Sequence, residues 1–253
     1  MRSLLRKSGI ICTLVIFFSG INAFANEDPA KLIYLTENFP PLNYIENDEL
    51  KGFSVELLKL IWKELDVKPQ KIKIYPWARA LNILENENNI VLFTTAKTEA
   101  RVEMFKWVGP ITTNTRTAII ALKENLIRIR SLDEAKKYLI GIIRNDAAEQ
   151  ILLSSGIEKE SIQPVSRFEQ NIKKIKVGRI DLIAYNEYSF YNIMRVKGMD
   201  SDEFETVYRL KETIPCYAFS KNVSDSLVKK FQYALDKIMQ DNEYQKLIEK
   251  YYH

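Results

Sequence analysis

The sequence predicts an α/β protein with two lobes, in which short buried strands alternate with amphipathic helices. Apolar runs such as KLIYLT (31–36) and LIGIIR (139–144) have the length and composition of buried strands. The segment SVELLKLIWKELD (54–66) repeats apolar residues at helical spacing, as a helix packed on a sheet does. Two further strand-like runs, near 115–121 and 213–219, separate two such units and predict two crossings of the chain between lobes.

Each element of the first unit has its own local signal. The segment QKIKIY (70–75) alternates polar and apolar residues and predicts a strand. Pro76 suits the first position of a helix, where no backbone N–H is needed, and this helix continues to about residue 88. The apolar run NIVLF (89–93) predicts another strand, which ends at a pair of threonines. The first unit is therefore predicted as strand, helix, strand, helix, strand.

The second unit begins at SLDEAKKY (131–138), where Ser131 and Glu134 have the spacing of a capping box. Asp146 is placed to cap the helix that follows the strand LIGIIR. The remaining predicted elements are the strand RIDLIAY (179–185), a helix over 189–198, the returning strand TIPCYAFS (213–220) and two closing helices over 224–253.

The first 25 residues have the composition of a secretory signal. A short basic segment precedes an apolar stretch too short to span a bilayer, and AFA, ending at Ala25, has the small-residue pattern of a cleavage site. We therefore expect residues 1–25 to be removed and the protein to be exported to the periplasm. The rest is predicted to divide into a discontinuous lobe 1, residues 26–117 and 218–253, and a lobe 2, residues 118–217, with hinge strands at both of its ends.

Composition argues against several classes of function. Removal of Arg2, Arg6 and Lys7 with the signal lowers the formal net charge from +4 to +1, too little for a nucleic-acid or anionic-membrane partner. The single histidine is His253, so histidine-based zinc sites and Ser-His-Asp triads have no histidine to use. We predict neither a metal nor a cofactor. Cys216 is the one cysteine left, so we expect no disulfide and a buried, unreactive thiol.

Four sequence segments together carry a family resemblance. They are PPLNY followed by GFSVEL, then TEARVEMFKWVGP, then GRIDLIAYN, and last YAFSKN with the closing helices. In order and spacing they resemble the bacterial extracellular solute-binding proteins of family 3. The resemblance implies the two-lobed periplasmic-binding-protein fold (type II), with each lobe a mixed sheet flanked by helices and two crossing strands as the hinge. It also implies a protein, expected to be a monomer, that delivers a small polar solute, most often an amino acid or related carboxylate, to an ABC permease in the inner membrane.

In lobe 1 the resemblance gives Arg101 the role of gripping the α-carboxylate of the ligand. A guanidinium suits this role because it can form two parallel charge-assisted hydrogen bonds with a carboxylate. Ala96 stands where relatives often have a hydroxyl. Thr94 and Thr95 are therefore either substitutes for that hydroxyl or caps of a following helix.

Aromatic and charged residues before this segment are further candidates. Phe39, Tyr75 and Trp77 either pack on the ligand or belong to the core, where aromatic residues are common. Arg79 interrupts an otherwise apolar helix face and either contacts the ligand or forms a surface ion pair.

In lobe 2, Arg144, Asn145 and Asp146 occupy a strand-to-helix turn that we expect to donate backbone N–H groups to an anionic group. The resemblance places Asn186 where relatives have an ammonium-binding carboxylate. Asparagine can accept a hydrogen bond there but cannot neutralise an α-ammonium. The adjacent Glu187 is the alternative carboxylate if the loop is rotated. A ligand that lacks the amine, or that binds in another orientation, remains open.

Two alternatives share the fold. One is an enzyme similar to the cyclohexadienyl dehydratases, which needs a general acid of raised pKa in a dry cleft, and Glu37 and Glu187 are the candidates. The other is a sensing module that reports its ligand to a membrane receptor. Fold does not decide among these functions, and we expect binding without catalysis.

Overall fold

The computed structural model describes residues 28–112 and 115–252, and the predicted signal, residues 1–25, lies outside this part of the chain. The strands are β1 (Ile33–Thr36), β2 (Tyr44–Glu46), β3 (Glu49–Lys51), β4 (Ile72–Ile74), β5 (Ile90–Lys97), β6 (Lys106–Val108), β7 (Thr115–Leu122), β8 (Ile140–Ile143), β9 (Ile162–Val165), β10 (Leu182–Asn186) and β11 (Phe204–Phe219). The α-helices are α1 (Phe53–Glu64), α2 (Trp77–Asn86), α3 (Ala147–Ser154), α4 (Phe168–Lys176), α5 (Glu187–Val196), α6 (Asp225–Met239) and α7 (Asn242–Tyr252).

The main sheet runs through both lobes in the order β4-β1-β5-β11-β7-β10-β8-β9, with β6 also paired to β11. Strands β1, β4 and β5 are parallel in the first lobe, and β8, β9 and β10 are parallel in the second. Strand β11 pairs antiparallel with β5 over 214–219 and with β7 over 204–213. The predicted two-lobed α/β fold, with mixed sheets and two crossing strands (β7 and β11), is confirmed.

Helix α1 shows how the sequence fixes the first lobe. Its apolar stripe is buried as predicted, and Trp62 makes an edge contact with Tyr34 of β1, with 4.8 Å between ring centroids. Gly52 precedes the helix with φ at 123°, and a Cβ there would lie 2.4 Å from the carbonyl oxygen of Leu42. Only glycine fits that position, so the helix start holds the loop that carries Phe39 against the sheet.

The core lies on both faces of the sheet in each lobe. In the first lobe, α1, α6 and α7 cover one face and α2 the other. Cys216 is buried in β11, which confirms the predicted burial, and burial raises the pKa of its thiol to about 11. Over residues 28–112 and 115–252, no helix combines the length and the apolar character needed to cross a membrane.

The predicted capping box at the start of the second unit is wrong. Residues Leu132–Lys137 form a 3-10 helix, and the Ser131 side chain makes no capping hydrogen bond. The Glu134 carboxylate instead accepts from the backbone N–H of Arg130, at 3.0 Å, which is one residue before the predicted cap.

Candidate functional site

The lobes enclose a small cavity where β5, β7 and β11 meet, and we call it the inner cavity. Its volume is about 40 Å³, room for a few water molecules. Among the described residues that line it, Glu37 and Asp146 have the only ionisable side chains. Its other lining residues are Phe39, Leu42, Trp77, Thr94 and Ala96 from the first lobe, Thr115, Thr117, Thr213 and Pro215 from the crossing strands, and Ala147 and Asn186 from the second lobe.

A second space, which we call the outer pocket, continues from the inner cavity past Glu37 and Trp77, the two residues that line both. Its volume is about 310 Å³, at the lower end of the range for small-molecule sites. Aromatic rings form much of its wall: Tyr75, Phe168 and Tyr185. The inner cavity and the outer pocket together form the cleft between the lobes.

Arg101 lies in the turn that follows β5, where its backbone N–H donates to the Thr98 carbonyl at 3.0 Å. Its side chain is buried and bonds to two backbone carbonyls. Nη1 donates to Ala96 O at 3.2 Å in the same lobe, and Nη2 donates to Asn145 O at 2.5 Å in the other. The guanidinium also lies over the Trp77 ring, 5.1 Å from its centroid. Arg101 therefore joins the two lobes through main-chain oxygen.

Trp77 makes a second bond to the same acceptor. At the start of α2, its Nε1 donates to Asn145 O at 2.8 Å, so two donors from the first lobe share one carbonyl of the second. Asn145 adopts a left-handed conformation with φ at 59°, which asparagine tolerates better than most residues. The turn after β8 therefore acts toward the first lobe as a hydrogen-bond acceptor.

The N–H groups of that turn are occupied by their own chain. Asn145 N donates to the Glu149 carboxylate at 2.5 Å, and Ala147 N donates to Asp146 Oδ1 at 2.6 Å. Asp146 thus caps α3, as predicted. The expectation that Arg144, Asn145 and Asp146 form an N–H site for an anion has no support in this geometry, and Arg144 is exposed.

Burial dominates the electrostatics of the cleft. Burial raises the pKa of the Glu37 carboxyl well above its usual value, and the Asp146 carboxylate raises it further, while Arg101 opposes both effects. Burial likewise raises the pKa of Asp146, again against Arg101. Burial lowers the pKa of Arg101, and nearby acids counter this, so its guanidinium stays charged. Within the described part of the chain, no donor bonds to the Glu37 carboxylate.

The two threonines after NIVLF have different surroundings. Thr94 lines the inner cavity with φ at 62°, and its hydroxyl donates to Asn43 Oδ1 at 2.6 Å. Thr95 is fully buried and donates to Leu92 O at 3.0 Å within its own lobe. Neither caps a helix, because β5 continues to Lys97 and the residues beyond it form turns, so that alternative is wrong.

The aromatic and basic candidates of the first lobe separate into two groups. Phe39 and Trp77 line the inner cavity, and Tyr75 lines the outer pocket. Arg79 is exposed and lies over the outer face of Tyr75, with its Cζ 4.5 Å from the ring centroid. The structure therefore places three of these residues at the cleft and Arg79 outside it.

The two carboxylate alternatives of the second lobe also separate. Asn186 lines the inner cavity, and its Oδ1 accepts from Ser189 N at 2.9 Å as the cap of α5. Glu187 begins that helix and pairs with Arg209 at 2.9 Å, away from the inner cavity. Burial raises the pKa of Glu187, but the hydrogen bonds from Arg209 and Thr206, together with the charge of Arg209, outweigh it, and the pKa lies below its usual value.

Sequence reasoning missed the hydroxyls of the crossing strands. Thr115 and Thr117 are two residues apart on β7, so both face the inner cavity, and Thr213 faces it from β11. The signal was present as a T-x-T pattern in a strand predicted to cross between lobes. Glu37 was considered only as a general acid, although its place at the end of the first strand also allowed a binding role.

Known proteins agree with this architecture. The model of the bacterial extracellular solute-binding proteins, family 3, matches residues 32–253. A probable amino-acid-binding protein, YxeM of Bacillus subtilis (strain 168), is 23% identical, over 97% of this chain and 92% of its own. The solved substrate-binding protein of an amino acid ABC transporter has a TM-score of 0.72 at 17% identity, covering 87% of this chain and 98% of its own.

A solved histidine kinase sensor domain with similarity to periplasmic binding proteins has the same fold. Its TM-score is 0.79 at 17% identity, covering 89% of this chain and 97% of its own. The family match extends from the first strand to the last helix. This chain therefore belongs to the bacterial extracellular solute-binding proteins, family 3.

Proposed function

We propose that this protein is a periplasmic solute-binding protein that closes its two lobes around a small polar solute, an amino acid or a close chemical relative. The observation that carries the proposal is the inner cavity, whose wall comes from both lobes and from the crossing strands between them. Hydrogen bonds from Trp77 and Arg101 to Asn145 O close this wall. A site built from two lobes binds its solute when they close.

Strands β7 and β11 are the natural hinge. Strand β11 exchanges its partner between Thr213, which pairs with β7, and Ile214, which pairs with β5. In the proposed division into 26–117 with 218–253 and 118–217, this change lies in the hinge strand at the end of lobe 2. A hinge of two strands lets the lobes rotate as units while each keeps its own core.

The size of the cavity requires such a motion. A volume of about 40 Å³ holds a few waters, whereas small-molecule sites usually occupy about 300–1,000 Å³. The outer pocket of about 310 Å³ supplies the additional room when the lobes separate slightly. Binding of a solute therefore widens the inner cavity into the outer pocket before the cross-lobe bonds form again.

Delivery to an ABC permease is the proposed purpose of binding. Family membership and the likeness to the substrate-binding protein of an amino acid ABC transporter support it. The likeness to a histidine kinase sensor domain favours a second candidate, in which the closed form is read by a membrane receptor. Solute uptake measured in cells that lack this protein separates the two, because transport fails without the binding protein and sensing leaves uptake intact.

We propose binding without chemical turnover. The raised pKa of Glu37 is the property that a general acid needs, so a dehydratase remains the rival on this fold. Incubation of the purified protein with a cyclohexadienyl amino acid, followed by chromatography, distinguishes the two. Formation of an aromatic product would establish the enzyme.

A thermal-shift screen of amino acids, amines and small carboxylates tests the binding function itself. A ligand at 100 times its dissociation constant stabilises the native state by about 2.7 kcal/mol. We expect one chemical class to raise Tm and to lower the radius of gyration in solution scattering. A screen in which no compound changes either quantity would contradict the proposal.

A further inference from the structure

The Arg101 guanidinium is buried and lines neither the inner cavity nor the outer pocket. Both terminal nitrogens of Arg101 donate to backbone carbonyls, at 3.2 and 2.5 Å, and only its buried Nε has no partner. A bidentate grip on a carboxylate uses two guanidinium N–H groups side by side. Two of the five N–H groups of Arg101 hold backbone carbonyls, and a carboxylate in the cleft does not meet the others, because Arg101 is not part of the wall of either space.

A protein carboxylate lies at the N-terminus of α3. Its first N–H, from Ala147, donates to the Asp146 carboxylate at 2.6 Å. A protein carboxylate thus stands at the place where a helix N-terminus would receive an anionic ligand. A ligand carboxylate bound there would lie beside Asp146 and would be repelled by it.

The cavity instead presents two carboxylates from opposite lobes. Glu37 follows β1 of the first lobe and Asp146 begins α3 of the second, and both line the inner cavity. No hydrogen bond from the described residues reaches the Glu37 carboxylate. Burial disfavours the ionised form of both carboxylates, and the Asp146 charge disfavours it further at Glu37. A cation placed between them relieves both effects.

The walls suit the rest of such a ligand. Phe39 and Trp77 border the inner cavity. The Tyr185 ring makes an edge contact with Phe39, with 5.7 Å between ring centroids, and also lines the outer pocket. Aromatic faces attract ammonium groups and also cover alkyl chains. The threonine hydroxyls around the inner cavity, such as Thr117, accept hydrogen bonds from an ammonium.

Acidic and basic residues are equal in number in the outer pocket, with Glu37 and Glu169 beside Arg167 and Lys197. Lys197 is paired with Glu169 at 2.7 Å, and Arg167 interacts electrostatically with the same carboxylate. A chain that extends outward from the inner cavity therefore meets a nearly balanced pocket, and its strongest charged contact is at its inner end.

We propose that the solute is an organic amine without a carboxylate next to its ammonium group, and that Glu37 and Asp146 hold this ammonium between the lobes. The proposal rests on the proposed binding function and names its substrate class. Arg101 is then a positioning residue, which fixes the Asn145 turn and hence Asp146. The chemistry fits an alkyl monoamine or a diamine, whose chain lies along Trp77 and enters the outer pocket.

Matched pairs of compounds that differ by one carboxylate test the proposal. Agmatine with arginine, putrescine with ornithine, and cadaverine with lysine are titrated into the wild-type protein by calorimetry. We expect at least one amine to bind at least tenfold more tightly than its amino-acid partner. Equal or tighter binding by the amino acids would overturn the amine assignment and leave the binding function intact.

Charge-neutral variants locate the ammonium. Glu37→Gln and Asp146→Asn keep the size of the side chain, and asparagine remains a good helix cap, so both variants are expected to fold. We expect each to weaken the amine at least tenfold, whereas Glu205→Gln, which breaks an ion pair with Arg128 outside the cleft, leaves it unchanged. Unchanged affinity in both cleft variants would overturn the assignment. If no compound of any class binds, the proposed function itself fails.

Discussion

The two turns that meet across the cleft have opposite polarity. The turn after β5, residues 98–105, provides the Arg101 side chain and contains no helix. The turn after β8, residues 144–147, leads into α3 and provides the carbonyl of Asn145. The first turn donates hydrogen bonds through a side chain, and the second accepts them through a main-chain carbonyl.

This difference teaches that hydrogen bonds between protein groups hold the two lobes together. Bonds from Trp77 and Arg101 to Asn145 O, and from Thr98 Oγ1 to Gln150 Oε1 at 2.6 Å, join the lobes. A neutral bond of this kind contributes about 1 kcal/mol, and a bond from a charged donor about 1.5–3 kcal/mol. The Glu37 carboxylate has no hydrogen bond from the described residues. We therefore expect substitution of the donors to lower stability and substitution of the acids to change how stability depends on pH.

The largest expected effect comes from Arg101→Ala. The change removes a buried cation with two hydrogen bonds and leaves a gap beside Trp77. We expect the free energy of unfolding to fall by about 3 kcal/mol, since bonds from charged donors contribute about 1.5–3 kcal/mol each. For a chain of this size, Tm would fall by roughly 6–12 °C in differential scanning calorimetry.

Arg79→Ala is the matched control for that substitution. Arg79 is exposed, and its contact with the Tyr75 ring contributes about 0.5–1 kcal/mol. We expect a small change in Tm. Equal losses in the two variants would show that Arg101 does not join the turns as described.

Trp77→Phe tests the second donor to Asn145 O. Phenylalanine keeps an aromatic ring but loses the Nε1 hydrogen bond, so we expect a loss of about 1.5 kcal/mol. Trp107→Phe is the control, because Trp107 Nε1 donates to Val102 O at 3.0 Å within one lobe. Solution scattering should show a larger radius of gyration only for Trp77→Phe. Expansion in both variants, or in neither, would contradict a role in closure.

The sequence was a good guide to the elements of this cleft and a poor guide to their partners. Helix α1, the crossing strands and the Asp146 cap follow from local patterns, which depend on neighbouring residues. The bond from Arg101 to Asn145 joins residues of different lobes, and neither segment contains a signal for the other. The sequence predicted that Arg101 binds the ligand carboxylate, and it could not predict that the same side chain bonds to Asn145 O of the other lobe.

The segment after Thr95 shows how tertiary structure overrides a local pattern. The charged run KTEAR (97–101) is compatible with a helix. In the fold, β5 extends to Lys97 and β6 must begin at Lys106 to pair with β11, so only residues 98–105 remain. Sheet pairing on both sides leaves that segment as turns.

Glu37→Gln examines the charge side of the comparison. A carboxyl whose pKa is raised by folding stabilises the protein below its unfolded-state pKa, and this stability is lost as pH rises through the folded pKa. Glutamine does not ionise, so the variant does not lose stability in this way as pH rises. We therefore expect it to be more stable than wild type at pH 8 and to show no such gain at pH 4, as measured by Tm in both buffers.

For Glu187→Gln, we expect the stability difference from wild type at pH 8 to have the opposite sign. Burial raises the pKa of Glu187, but hydrogen bonds from Arg209 and Thr206 and the charge of Arg209 together lower it by more. Its contribution to stability is therefore present above the unfolded-state pKa and lost as pH falls through the folded pKa. This variant should be less stable than wild type at pH 8, with the difference disappearing in acid. The same sign in both variants would contradict the contrast between the unpaired and the paired carboxylate.

The smallest expected effect is that of Thr98→Val, which removes the bond from Thr98 to Gln150 across the cleft. A partly buried neutral hydrogen bond contributes about 0.5 kcal/mol, so ligand release, measured by stopped-flow fluorescence, should become about twofold faster. Thr95→Val is the matched control, because the Thr95 hydroxyl donates to Leu92 O inside the first lobe. It should lower Tm without changing the release rate. Faster release from Thr95→Val, with no change in Thr98→Val, would contradict a role of the Thr98–Gln150 bond in closure and would indicate that Thr95 contacts the ligand.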